Sequence, residues 1–101
     1  MIRHIVMFKL KSTLSAEEKA THLQEIKKMT EQLKAELPII IQSTLGINAP
    51  SADQTNYDVV ITCDFANIAD LNTYQVAPLH QSFGQYIAQI RESRACVDFE
   101  I

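Results

Sequence analysis

Arg3-His4-Ile5-Val6-Met7-Phe8-Lys9-Leu10 carries no glycine or proline and is rich in branched and aromatic side chains, so it reads as a strand. Strand side chains alternate, which sets His4, Val6, Phe8 and Leu10 on one face and Ile5, Met7 and Lys9 on the other. Both faces are mainly apolar. Such a strand has to be covered from two sides.

Working outward, Ser15-Ala16-Glu17-Glu18 is a capping box, in which the Ser oxygen accepts the amide three residues on and Glu18 returns the bond. A helix to about Glu36 follows, with Leu23, Ile26, Met29, Thr30, Leu33 and Leu37 recurring at three- and four-residue steps until Pro38 stops it. Ile39 to Ile47 is a second strand, loosened by Gly46, and Asn48 to Asn56 is a polar loop. Tyr57 to Phe65 is a third strand, and its run Val59-Val60-Ile61-Thr62-Cys63 belongs in the middle of a sheet. Asn67 caps a short helix to about Gln75, and Pro78 opens another to about Arg91 with Leu79, Phe83, Ile87 and Ile90 on its buried stripe. Arg94 to Ile101 closes the chain as a strand, alternating Ala95, Val97, Phe99, Ile101 against Arg94, Cys96, Asp98, Glu100.

The order βαββαβ is the α+β, ferredoxin-like arrangement, with a four-stranded antiparallel sheet. Right-handed crossovers put both helical segments on one side of that sheet. Nothing in the chain is available for the other side, because the 48–56 loop is short and polar. An apolar face of that size exceeds what monomers leave wet, so a second copy packed sheet to sheet is expected, giving a dimeric α+β barrel.

The 101 residues leave no room for a second domain of ordinary size, and we read 1–101 as one. A formal charge of −3 argues against nucleic acid as a partner, since backbone binding needs a basic face. No apolar run approaches the ~20 residues of a membrane span. Met1-Ile2-Arg3-His4 does not begin a signal peptide, which makes the cytoplasm the expected location. Cys63 and Cys96 fall on strands that are not neighbours; both read as reduced, small apolar fillers. The sequence calls for no cofactor: it has no phosphate-cradling glycine loop, no serine nucleophile motif and no zinc-ligand cluster, though Mg²⁺ needs few protein ligands.

Strand parity brings His4 and Asp98 to the space between helices and sheet. His80, in the first turn of the last helix, and Tyr74, just before the Pro78 break, border the same space. An imidazole takes a proton near neutrality, a carboxylate behind it fixes the tautomer, and a tyrosine hydroxyl holds an enolate oxygen. His80, Tyr74 and Asp98 thus suit proton abstraction beside a carbonyl. The plainer reading stands beside this one: a structural His–Asp contact, a core Tyr74, a satisfied His4 at a strand start and a boundary His22.

Met1 to Leu10, Tyr57-Asp58-Val59-Val60, Tyr74-Gln75-Val76-Ala77-Pro78-Leu79-His80 and Val97-Asp98-Phe99 together resemble the stress-responsive dimeric α/β-barrel (Dabb) family, in order and over nearly the whole chain. The resemblance implies a homodimer and a small-molecule pocket in each subunit. The pocket lining expected from strand parity, the helix stripes and the resemblance together is His4, Val6 and Phe8, His22, Leu23 and Ile26, Val59 and Ile61, and Phe83. In the plant olivetolic acid cyclase branch a His and a Tyr lead an aldol closure; by position these fall on His80 and Tyr74, with Asp98 in support and His4 matching the first-strand His. The family usually reads Tyr-x-x-His-Pro-x-His, whereas Ala77 stands at the first His here. Val59 replaces a further pocket His, and His22, Leu23 and Ile26 replace pocket aromatics. These departures argue against a polyketide substrate.

Three functions follow as expectations: a small cyclase- or isomerase-like enzyme acting on a carbonyl compound, a non-catalytic binding or stress-associated module for an apolar metabolite, and, ranked last for want of tryptophan, a cofactor-free monooxygenase or haem binder.

Overall fold

The computed structural model describes all residues, 1–101. Its elements are β1 (Ile2–Leu10), α1 (Ala16–Glu36), β2 (Gln42–Ile47), β3 (Val59–Phe65), α2 (Ile68–Val76), α3 (Pro78–Ile90) and β4 (Arg91–Glu100). The sheet is antiparallel, in the order β2-β3-β1-β4. The βαββαβ reading is borne out, with β3 and β1 in the centre.

Local chemistry sets the boundaries. The Ser15 cap is present in both directions, Glu18 N–H to Ser15 Oγ at 3.0 Å and Ser15 N–H to Glu18 Oε1 at 2.9 Å. Asn67 Oδ1 accepts the Asp70 amide at 2.8 Å and starts α2. Three boundaries differ from the sequence reading. β2 begins at Gln42, not Ile39, because the chain turns after α1 and drives Ile40 into the core. β3 begins at Val59, not Tyr57, since Asp58 serves β1 instead: its carboxylate accepts the Leu10 amide and its own amide bonds the Phe8 carbonyl. β4 begins at Arg91, not Arg94, and runs directly out of α3, with a register shift at Lys9/Leu10 absorbing the change of direction.

The helix side of the sheet is packed. His4, Val6, Phe8 and Leu10 of β1 and Val59, Ile61, Cys63 and Phe65 of β3 are all buried, under Ile26, Leu33, Leu71, Phe83 and Ile87. The other side has no cover from this chain. Ile5, Met7, Val60 and Thr62 are half-buried there, while Val97 is 53% and Phe99 40% exposed. Asp64 is the buried acid of that face, held by Nε and Nη2 of the Arg3 guanidinium at 2.9 and 3.0 Å. Both cysteines are free thiols; Cys63 is buried, but Cys96 is exposed on the edge strand and is not a core filler.

Candidate functional site

The site grows from the pairing of β1 with β4. Their register sets His4 opposite Asp98 and Val6 opposite Cys96, so all four side chains rise on the helix side. His4, 3% exposed, hydrogen-bonds through Nδ1 to Asp98 Oδ1 at 2.5 Å. With Nδ1–H donating to the Asp98 carboxylate, Nε2 is the free nitrogen of that ring. Cys96 Sγ lies 3.5 Å from the same Nδ1. A cluster with metal-ligand chemistry, His4, Cys96 and Asp98 within 4.8 Å of one another, therefore exists where the sequence showed none, since it assembles only through strand pairing. Its Nδ1–Oδ1 separation is that of a hydrogen bond rather than of two atoms sharing an ion.

The second part comes from the break between α2 and α3. Ala77 closes one helix and precedes the other, and Pro78 takes the first helical position, where a missing amide costs nothing. A helix that ends leaves its last carbonyls without partners. His80 Nδ1, 3.1 Å from the Gln75 carbonyl oxygen, supplies the missing donor. That bond fixes the tautomer with Nε2 unprotonated. Burial lowers the His80 pKa below its usual 6.5, and the neighbouring His4 and Arg94 push the same way against the Gln75 bond. His80 is thus a neutral imidazole at pH 7 with a free basic nitrogen.

Tyr74 sits between the two imidazoles. Its ring centroid is 4.4 Å from that of His80 and 6.3 Å from that of His4, edge-on to the latter. Burial, with the Cys63 thiol adding to it, pushes its pKa well above the usual 10, so it remains a proton donor. Phe83 packs edge-on against Phe8 and closes the floor.

These groups border a cavity of about 140 Å³. Of the sequence-predicted residues, His4, Val6, Phe8, Ile61, Tyr74, His80 and Phe83 line it. His22, Leu23, Ile26 and Val59 do not. Ile26 and Val59 are fully packed core, Leu23 leans on that core, and His22 spends its Nδ1 on the Tyr86 hydroxyl. Asp98 was expected behind His80, but the β1–β4 register gives it to His4 instead. Gly84, Ile87, Arg91 and Arg94 also line the cavity and were missed as site residues. Arg94 was detectable, because it shares strand parity with Cys96 and Asp98. A larger hollow of about 530 Å³, near Met7, Gly46, Tyr57 and Val60, lies over the bare side of the sheet and holds no acid or imidazole.

The stress responsive A/B barrel domain matches residues 2–101. The chain belongs to this family. As a Dabb domain it has solved relatives of the same fold. A dimeric ferredoxin-like protein of unknown function from Bacteroides fragilis is 32% identical, with a TM-score of 0.90 over 99% of this chain and 95% of that one. A dimeric ferredoxin-like protein from Thermobifida fusca is 24% identical, TM-score 0.83, over 99% and 90%. The hydroxynitrile lyase of Passiflora edulis shares the fold at 19% identity, TM-score 0.80, over 99% and 92%; a likeness at that level speaks for architecture, not chemistry. Among curated proteins, none matches the sequence of this Dabb domain significantly. No helix in it is long and apolar enough to cross a membrane.

Proposed function

We propose that this Dabb protein is a homodimer, joined through the bare sheet face, that performs acid–base chemistry on a small carbonyl compound in the cavity of each subunit. The observation that carries the chemistry is His80: a neutral imidazole, its Nδ1 tied to the Gln75 carbonyl, its ring centroid 4.4 Å from that of the protonated Tyr74. His80 Nε2 takes the proton from the carbon next to the substrate carbonyl. Tyr74 O–H donates a hydrogen bond to the enolate oxygen that forms. The resulting imidazolium returns its proton at another carbon for an isomerisation; for a closure the enolate carbon attacks a second carbonyl and the imidazolium gives its proton to the alkoxide that forms. His4, held by Asp98, offers its Nε2 as the second polar wall. The Bacteroides and Thermobifida relatives, both dimeric, support the dimer, as does the exposure of Val97 and Phe99.

The test needs no knowledge of the natural substrate. Small ketones, enones and lactones are incubated with the protein in D₂O, and loss of the α-proton signal is followed by NMR. Exchange by the native protein is expected, with a drop of about 10²–10⁴-fold in His80→Ala and a smaller one in Tyr74→Phe. Undiminished exchange in a folded His80→Ala protein refutes the proposal. A binding module without turnover is the second reading. It is favoured by the cavity's size, below the roughly 300 Å³ at which ligand pockets usually begin; ligand binding with no exchange would establish it.

A further inference from the structure

The chain has three arginines, and they fall into two groups. Arg3 is paired in two-point fashion with Asp64 on the bare face. Arg91 and Arg94 both line the cavity, and neither is among the ion pairs, which are Arg3–Asp64, His4–Asp98 and Lys9–Asp58. The acids nearest in sequence are committed elsewhere, Asp98 to His4 and Glu92 to the Ser12 amide at 2.7 Å. Nor would a second copy on the bare face neutralise them. The register sets Arg94 opposite Phe8 and Arg91 opposite Leu10, both on the helix side. Arg91 follows the last turn of α3, where a cation suits the helix dipole; Arg94 has no such dipole to answer, and its one protein partner is the Cys96 thiol rather than a carboxylate. Two guanidiniums without carboxylates therefore border a small cavity that is otherwise aromatic, aliphatic and imidazole. Guanidinium forks are matched to planar carboxylates.

We propose that the cavity takes a small organic carboxylate, its anionic end gripped at the mouth by Arg91 and Arg94 and its apolar, carbonyl-bearing part inside against Phe8, Phe83, Tyr74 and His80. The volume suits a body about the size of benzene. An oxo acid or an unsaturated lactone acid of that size would place its reactive carbon by the grip on its carboxylate. This names the substrate class for the acid–base reading and rests on it for the reaction, but not for binding.

Benzoate and benzamide have nearly the same shape and differ in charge, which makes them the probe pair. Each is titrated into the purified, isotopically labelled protein, and the amide signals of His80 and Gly84 are followed by NMR. Benzoate is expected to shift them saturably and benzamide to bind at least about tenfold more weakly. The double variant Arg91→Gln/Arg94→Gln should lose at least about tenfold in benzoate affinity with benzamide unchanged, and Lys28→Gln should change neither. Added salt should weaken benzoate alone. Equal binding of the two probes, no benzoate binding, or undiminished benzoate binding in a folded double variant overturns the proposal. The two readings fail separately. Arginine-dependent benzoate binding without any proton exchange removes the acid–base chemistry and leaves the anion site. Exchange on neutral ketones without benzoate binding does the reverse.

Discussion

His80 Nδ1 and the Gln75 carbonyl oxygen meet at 3.1 Å across the kink where α2 gives way to α3. The bond answers a backbone need and in the same act orients a side chain. Because burial holds the His80 pKa below 6.5, the folded protein binds that proton less readily than the unfolded chain. Above about pH 8 both states are neutral at this position and it contributes no pH dependence. As pH falls through 6.5 the unfolded chain takes the proton first, so stability declines on the acid side. Thermal unfolding between pH 7 and 5 is expected to show that decline, and His80→Gln to flatten it.

The His4–Asp98 bond makes a second prediction. Asp98→Asn keeps the shape but can present its amide to Nδ1 and reverse the tautomer of His4. A loss of about 10–10²-fold in proton exchange is expected, with a stability cost of only about 1 kcal/mol because the Asp98 side chain is 33% exposed. Nitrogen-15 shifts of the His4 ring report the tautomer directly. Unchanged shifts would show that Asp98 does not set it.

The uncovered sheet face makes a third. Val97→Asp introduces a charge into the middle of the apolar row on β4, where an isolated chain leaves that position 53% exposed. A charge buried in an interface without a partner is strongly unfavourable. Sedimentation should shift from a dimer to the 11.4 kDa monomer, whereas Lys28→Gln on the outer face of α1 should leave the dimer intact.

A fourth concerns Asp64. The Arg3 guanidinium, chiefly through its hydrogen bonds, holds the Asp64 carboxyl below its usual 3.8. A group depressed on folding contributes stability that is full above the unfolded pKa and is lost as pH drops through the folded one. Wild type and Asp64→Asn should therefore differ most near neutrality and converge below about pH 4, in denaturant titrations at each pH.

The fold was legible because its signals are local and agree with one another: the Ser15 box, the Asn67 cap, Pro78 at a helix start, and the continuous apolar run of β3. The site was legible only where parity sufficed. Parity along β1 and β4 put His4 and Asp98 on one side, but nothing in the spacing says that residue 98 lies opposite residue 4 and not near residue 80; that follows from register. His22 was assigned to the pocket by resemblance, and its contact with Tyr86 lies 64 positions away, beyond any periodicity. Arg91 was hidden by a boundary: assigned to the end of a helix, it has no strand face, and only the early start of β4 brings it beside Arg94.

In β4, Asp98 stands between Val97 and Phe99, which point the opposite way. A partner that clamps those two hydrophobes also stiffens the backbone that aims the carboxylate at His4. Quaternary state and chemistry then share one edge strand, and turnover per chain should drop on dilution even while each subunit keeps its own cavity.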